Sequence, residues 1–277
     1  MRAGRVTAMV LVGLLAGCGT QGVNGTGEAD KAAPRSSAPG TPTSASASPA
    51  APPPGIVPPT GAPTAPGVDS VAPSQRTFTG AHLDATLLPD SAFGRGLDSK
   101  DQHQAGVFKN THEQRRGWWS YCLESEEDPA WLGPAAYRGT EAYSHSLWTN
   151  RRTRPPQGHI MVSQHLVSLT TAAARDLHRV EQDILHHCPE FGSDMEAGTA
   201  TERYRVEPLK GLGDEAYLEV QEIVYEGDTR TSYRAHVRVG GVLVRVESGE
   251  DPDRDATVRW AAQLARDVRG DLYGISR

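Results

Sequence analysis

The distribution of proline divides this chain into a part that can fold and a part that cannot. Twelve of its 20 prolines lie within residues 19–76, among Ala, Ser, Thr and Gly and with almost no large apolar side chain. Such a stretch buries too little apolar surface to offset its conformational entropy. We therefore expect residues 18–76 to form a disordered tether, partly in polyproline II conformation, and residues 77–277 to form a single folded domain.

The first 17 residues have the layout of a secretory signal peptide. Arg2 and Arg5 precede an apolar run over residues 8–16, which is far shorter than the roughly 20 residues that a membrane-spanning helix needs. Small residues follow the apolar run, as they do at a signal cleavage site. We expect residues 1–17 to be removed on export.

The four residues Leu15-Ala16-Gly17-Cys18 resemble the lipobox of bacterial lipoproteins. This resemblance implies that a diacylglycerol is attached to the Cys18 sulfur, that the chain is cut just before Cys18, and that further acylation follows. Two or three acyl chains such as palmitate anchor a protein firmly. The expected location is the extracytoplasmic face of the cell membrane, with the membrane as a partner through this lipid. An ordinary secretory signal that happens to carry a nearby cysteine is the alternative.

Charge and motifs exclude several classes of function. The formal net charge is −6, and the acidic excess is larger still after residue 76, which argues against nucleic-acid binding. The chain contains no G-x-S-x-G, H-E-x-x-H, P-loop or S-x-x-K motif. We therefore expect neither an enzyme nor a cofactor.

Two cysteines remain once Cys18 is set aside, namely Cys122 and Cys188. In an exported protein, the oxidising compartment favours a disulfide between them. Two free, buried thiols are the competing interpretation.

Hydrophobic periodicity indicates mixed helix and strand. Gly240-Gly241 joins two alternating runs and predicts a β-hairpin. Asp251 and Pro252 are placed to begin a last helix. Further helices are predicted at residues 81–88 and 170–188, and further strands at residues 117–123, 143–149, 159–169 and 204–206 and over 216–224. The predicted fold class is α+β, with an antiparallel sheet, helices packed on one face, and one disulfide.

The order of several segments resembles a known family. These segments are LLP, the AAARDL helix that ends at a cysteine, GLGDEAY, VGGVLVRV and the closing helix. Together they resemble the extracellular sensor domain of PknH-type serine/threonine kinases and related actinobacterial lipoproteins. The resemblance implies an antiparallel sheet with helices around a ligand-binding cleft. The kinase version has two disulfides and a kinase, whereas this sequence allows one disulfide and contains no kinase, so we expect a stand-alone sensor-like lipoprotein.

Aromatic residues near Cys122 are the candidate ligand cleft. We assign Trp118, Trp119, Tyr121 and Trp148 to it, together with Glu222, whose position in the strand alternation places it among apolar residues. Core packing around the disulfide is the alternative for the aromatic residues, and a bulge that turns Glu222 to water is the alternative for that carboxylate.

The cluster of His178, His186, His187 and Cys188 is not expected to bind a metal, because adjacent histidines on a helix point apart.

Three functions remain open at this level. The first is a non-catalytic domain that binds a small molecule or an envelope component. The second is an envelope hydrolase that uses Glu222 and His236 for acid/base chemistry, with Glu215 and Glu219 on a solvated strand face. The third is a structural or adaptor lipoprotein that docks another envelope protein through an apolar patch.

Overall fold

A computed structural model describes residues 64–93, 98–123, 129–149, 159–195, 198–249 and 253–276. The predicted signal peptide, Cys18 and most of the predicted tether lie outside the described residues. None of the helices in the described ranges is both long enough and apolar enough to cross a membrane.

Within the described residues, eight strands form one antiparallel sheet in the order β2-β3-β4-β10-β9-β8-β6-β5, and β1 and β7 form a separate parallel pair. The strands are β1 Ala65–Pro66, β2 Asp98–Asn110, β3 Tyr137–Thr149, β4 His159–Ser168, β5 Glu190–Met195, β6 Gly198–Pro208, β7 Leu212–Gly213, β8 Glu215–Tyr225, β9 Asp228–Val239 and β10 Val242–Gly249. The helices are α1 Gly80–Asp84, α2 His112–Trp118, α3 Thr171–His187 and α4 Arg254–Asp267, and a π-helical turn at Val268–Leu272 follows α4.

The two faces of the sheet differ in character. On the apolar face, Val244 of β10 lies opposite Leu166 of β4 and Val237 of β9, and these residues form one core with Trp260 and Leu264 of α4. On the opposite face, which we call the polar face, Val167 and Leu243 pack against Ala174 and Leu177 of α3. The structure confirms the α+β class and the antiparallel sheet.

The structure differs from the prediction in where the helices lie. Helices α1 and α4 contribute to the apolar core, whereas α3 packs on the polar face, so both faces of the sheet are covered. The physical reason is that the central strands carry apolar side chains on both faces where α3 crosses them. Leu166 and Val167, for example, are consecutive and point to opposite faces, and both are buried. A second apolar patch of this kind needs a second cover.

The hairpin between β9 and β10 forms as predicted. Gly240 has φ +58°, a left-handed conformation that favours glycine. A Cβ atom at Gly240 would also lie 2.6 Å from the Tyr273 hydroxyl, so both backbone and packing require glycine there.

The helix ends follow capping chemistry. Thr170 accepts a hydrogen bond from Ala173 N at the start of α3, and Cys188 ends that helix as predicted. Helix α4 begins two residues later than predicted: its N-cap is Asp253, whose carboxylate accepts a hydrogen bond from Ala256 N at 2.8 Å. Asp251 and Pro252 lie outside the described residues.

One local prediction is wrong, and two strands of the sheet were not predicted. The run GWWSYCL is not a strand: Trp118 ends helix α2, and residues 119–122 form turns. A capping box at Thr111 and Gln114 starts this helix. The aromatic residues of the run favoured a strand and led to the wrong prediction. Strands β2 and β5 were not predicted, because their polar sequences carry little apolar alternation.

The folded domain starts before the predicted boundary at residue 77. Ala65 and Val68 are buried in the apolar core, and β1 pairs with β7. Asp69 makes a two-pronged ion pair with the buried guanidinium of Arg238. Residues 64–76 are therefore part of the fold rather than of a tether.

The predicted disulfide is confirmed. Cys122 and Cys188 are bonded, with their Cα atoms 5.8 Å apart. The bond ties the segment after α2 to the C-terminal end of α3. Both helices thus have a fixed position over the polar face of the sheet.

Candidate functional site

Charged and aromatic side chains alternate along the polar face of the central strands. Glu219 of β8 lies opposite Arg234 of β9, which lies opposite Glu247 of β10. Two residues along each strand, and on the same face, Tyr217 lies opposite His236, and His236 lies opposite Arg245. Opposite charges face each other across strands, a pairing that favours this register.

Helices α2 and α3 cover these residues and leave a cavity. Its volume is about 320 Å³, at the lower end of ligand pockets. Helix α3 contributes Glu181, Ile184 and Leu185, and the α2 region contributes Arg115, Trp118 and Trp119. The floor consists of the polar-face residues of β3, β4, β8, β9 and β10.

The charged groups of the cavity form a connected network. Arg234 donates to Oε1 of Glu219 at 3.0 Å and to Oε2 of Glu247 at 2.8 Å. Arg245 pairs with Oε1 of Glu181 on α3. Glu219 is 5% exposed; burial alone would raise its pKa, but Arg234 and the hydrogen bond with His236 lower it to about 2. Glu219 is therefore ionised at neutral pH.

Two histidines of the network are held neutral by burial. His236 is 6% exposed, and burial lowers its pKa although Glu219 lies 2.8 Å from Nε2. Burial likewise lowers the pKa of His165, whose Nε2 lies 2.8 Å from Oε2 of Glu141. A carboxylate on Nε2 places the ring proton there, so we assign this tautomer to both histidines.

Three polar atoms that line the cavity have no hydrogen-bond partner among the described residues. They are Oε2 of Glu181, Nδ1 of His236 and the hydroxyl of Tyr217. The first two lie 4.0 Å apart. Because buried polar atoms are nearly always satisfied in folded proteins, this cluster stands out as a place where a bound group can form hydrogen bonds.

The wall over the cavity is rigidly held. The Arg115 guanidinium is 1% exposed and donates to the backbone oxygens of Leu132, Gly133 and Ala135 at 2.7–3.1 Å. Trp119 packs edge-on against Phe191 and Tyr204, with ring centroids 5.8 and 5.5 Å apart. Together with the disulfide, these contacts fix α2 beside α3.

The structure brings some predicted cleft residues to the cavity and leaves others away from it. Trp118 and Trp119 line it, Trp119 half-buried and Trp118 62% exposed at the rim. Tyr121 is 53% exposed and stacks on Phe191 outside the lining. Trp148 lies in β3, but its side chain is outside the described residues.

Glu222 does not reach the cavity. It lies three residues beyond Glu219 in the same strand, so the alternation of side chains places it on the opposite face of the sheet from Glu219 and from His236. The acid/base pair of Glu222 and His236 that a hydrolase would need therefore does not form. The partner of His236 is Glu219, which sequence reasoning had placed on a solvated face.

The chemistry available at His236 is limited to proton acceptance and hydrogen bonding. His236 lines the cavity with a neutral ring that Glu219 orients, and the Nδ1 of this ring is buried without a hydrogen-bond partner among the described residues. No hydroxyl or thiol of the described residues lies within hydrogen-bond reach of Nδ1. A nucleophile activated by a base needs such a contact, and His236 makes none within the described residues.

The described ranges contain no group of three or more His, Cys, Asp or Glu side chains that could hold a metal ion. A wider depression of about 540 Å³ lies along another stripe of α3, where Arg175, Asp176 and Arg179 line it. Its charged side chains are 38–68% exposed, so it resembles an ordinary solvated surface.

The chain is similar to the extracellular domain of PknH from Mycobacterium tuberculosis, with a TM-score of 0.47 and 15% sequence identity, over 70% of this chain and 98% of that one. The resemblance stated from the sequence concerns the same family. No protein-family model matches the sequence, and no curated protein does.

Proposed function

We propose that this protein is an exported, lipid-anchored lipoprotein of the cell envelope whose domain acts, without catalysis, by binding a small molecule in the cavity on the polar face of its sheet. The observation that carries the proposal is the cavity itself, because it contains three polar atoms without a protein partner beside a network of paired charges. A site of this kind provides the few fixed polar groups and the apolar walls that ligand binding requires.

The envelope location is supported by two independent features. The lipobox at residues 15–18 provides an attachment point for lipid. The disulfide between Cys122 and Cys188 is of a type that persists in oxidising compartments outside the cytoplasm. The tether would then hold the domain away from the membrane surface.

Lipid attachment is tested by labelling cells with a fatty acid and fractionating them. We expect the wild-type chain to carry the label and to pellet with membranes. The Cys18→Ala variant should carry no label and should leave the membrane fraction, since no acyl chain remains to hold it. Equal labelling and equal fractionation of the two chains would refute lipid anchoring at Cys18.

Ligand binding is tested by native mass spectrometry of the full chain purified from its own envelope in detergent. We expect a bound mass on the wild-type protein and its loss from Trp118→Ala, which removes an exposed aromatic wall of the cavity. Tyr121→Ala is the matched control, since Tyr121 is a similarly exposed aromatic residue near the same disulfide that does not line the cavity. A bound mass that both variants lose, or both keep, would place binding elsewhere.

A further inference from the structure

The unpartnered atoms of the cavity define which groups a ligand must supply, and the inference drawn from them rests on the proposed binding function. Nε2 of His236 carries the ring proton and donates a hydrogen bond to Glu219. Nδ1 is therefore a hydrogen-bond acceptor. Oε2 of Glu181 is a second acceptor, 4.0 Å away. Two acceptors do not bond each other, so this pair requires a ligand that donates two hydrogen bonds.

Tyr217 adds a donor at the same place. Its hydroxyl is buried and unpartnered, and its ring stacks on His236 with the centroids 4.4 Å apart. Burial raises the pKa of Tyr217 well above its usual value, with Glu181 the next cause and Glu219 after it. Tyr217 lines the same cavity as both carboxylates, and its protonated hydroxyl is the donor there that has no partner among the described residues. A ligand that is complementary to the site therefore donates two hydrogen bonds and accepts one.

The charge balance of the lining selects an uncharged ligand. The lining contains three arginines and three glutamates, namely Arg115, Arg234, Arg245, Glu181, Glu219 and Glu247. A cation at Glu181 would meet Arg245, which already pairs with that carboxylate. An anion would face the unpartnered oxygen of Glu181 itself. Either ion would bring an uncompensated charge into a largely buried site.

The walls favour a ring that is apolar on its face and polar on its edge. Trp118 and Trp119 line the cavity beside the polar cluster. The negative faces of aromatic rings attract the weakly positive C–H groups of a ligand. A sugar ring has C–H groups on its faces and hydroxyls around its edge, and a cavity of about 320 Å³ suits a small ligand.

We propose that the cavity binds a neutral polyol, namely a saccharide unit whose adjacent hydroxyls donate to Nδ1 of His236 and Oε2 of Glu181 and accept from the hydroxyl of Tyr217. The roles of the three atoms follow from their contacts: two acceptors and one donor, all in the same lining.

The experiment measures thermal stabilisation of the full chain, in detergent, by neutral hexoses. The probes are D-glucose, D-galactose and D-mannose, each titrated to tens of millimolar, with D-glucuronate, D-glucosamine and acetamide at the same concentrations. We expect at least one neutral hexose to raise the melting temperature in a saturable way, as a ligand of the native state does. The two charged sugars and acetamide should act more weakly.

The decisive variant is Tyr217→Phe. It removes a hydroxyl without a protein partner, so the fold should be at least as stable as the wild type. The same hexose should then need a concentration about tenfold higher, since one hydrogen bond is lost. Tyr233→Phe is the matched control, because Tyr233 lies in the neighbouring strand on the apolar face and should leave binding unchanged.

Each other outcome overturns the proposal. An equal effect of sugar on the wild type and on Tyr217→Phe would be the general stabilisation that sugars give as osmolytes. A stronger effect of acetamide or of a charged sugar would assign a different chemical class to the site. If no hexose acts while the envelope-purified chain carries another bound mass, the polyol is wrong and the binding function stands; if neither is seen, both fail.

Discussion

Acid should destabilise the domain through His178, a residue of α3 that is 4% exposed and whose ring centroid lies 5.0 Å from that of Tyr217. Burial, followed by the nearby His236 and Arg238, lowers the pKa of His178 from 6.5 to about 3. The unfolded chain therefore binds a proton at this histidine in a pH range where the folded chain does not. Stability is complete above about pH 6.5 and falls as the pH decreases toward 3.

The magnitude follows from the same values. Each pH unit within this range is equivalent to about 1.4 kcal/mol, so a decrease from about pH 7 to about pH 4.5 removes roughly 2–3 kcal/mol through His178 alone. This is a measurable part of the 5–15 kcal/mol that stabilises most domains. His165 and His236 also have lowered pKa values, so their contributions have the same sign.

The assay is urea unfolding of the wild type and of His178→Gln at both pH values. Glutamine does not titrate, so the variant should lose roughly 2 kcal/mol less between the two pH values than the wild type does. The comparison of differences removes any constant effect of the substitution on packing. If the two proteins lose equal stability, His178 is either exposed or protonated in the native state, and the reasoning is refuted.

Two further predictions concern the wall of the cavity. The double variant Cys122→Ser/Cys188→Ser should lower the free energy of unfolding by up to about 4 kcal/mol, because the disulfide spans a sequence separation of 66 residues, and urea unfolding of the wild type with reductant should reproduce the loss. A loss below about 1 kcal/mol would show that α2 and α3 are held by other contacts. Trp119→Ala should destabilise the domain by about 3 kcal/mol and lower its melting temperature, because Trp119 packs against Phe191 and Tyr204. Trp118→Ala should change the melting temperature little, because Trp118 is 62% exposed. Equal effects at the two positions would contradict these side-chain placements.

The parts of the fold that could be predicted are those specified by local pattern. Helix α3 carries Leu177, Val180 and Ile184 on one stripe, and all three are buried. The glycine pair at 240–241 specifies its hairpin, because few other residues adopt that turn. The disulfide followed from cysteine count and compartment, which need no knowledge of tertiary structure.

The polar face of the sheet could not be predicted in the same way. A strand with alternating charged residues has the same sequence pattern whether it faces water or a covering helix. The pattern therefore suggests that Glu219 is solvated, although it is buried. Only the docking of α3 decides between the two. A usable signal was present in the complementary signs of Glu219, Arg234 and Glu247 on three consecutive strands, since like or random charges would not pair across a sheet.

The segment before residue 77 shows the same limit and allows a direct test. Arg238 is 1% exposed and donates two hydrogen bonds to Asp69, at 2.9 and 2.8 Å, and one to Glu215 at 3.0 Å. The hydrogen bond from Arg238 is the main cause that lowers the pKa of Asp69, which is therefore ionised at neutral pH. Asp69→Asn removes one of the three carboxylates, with Glu215 and Asp214, that lie within ion-pair distance of this buried guanidinium.

Breaking a buried ion pair destabilises a protein by about 3–5 kcal/mol, and Glu215 remains as a partner, so we expect a loss of about 3 kcal/mol for Asp69→Asn in urea unfolding. Asp228→Asn is the control, because Asp228 is exposed at the start of β9 and its replacement should change stability by less than about 0.5 kcal/mol. If the two variants are equally stable, residues 64–76 do not contribute to the fold and the tether extends to residue 76 as its composition alone suggests. If Asp69→Asn is less stable than Asp228→Asn by the expected amount, an ion pair helps to hold this proline-containing segment of low hydrophobicity in the domain. Hydrophobic periodicity cannot predict a contribution of that kind.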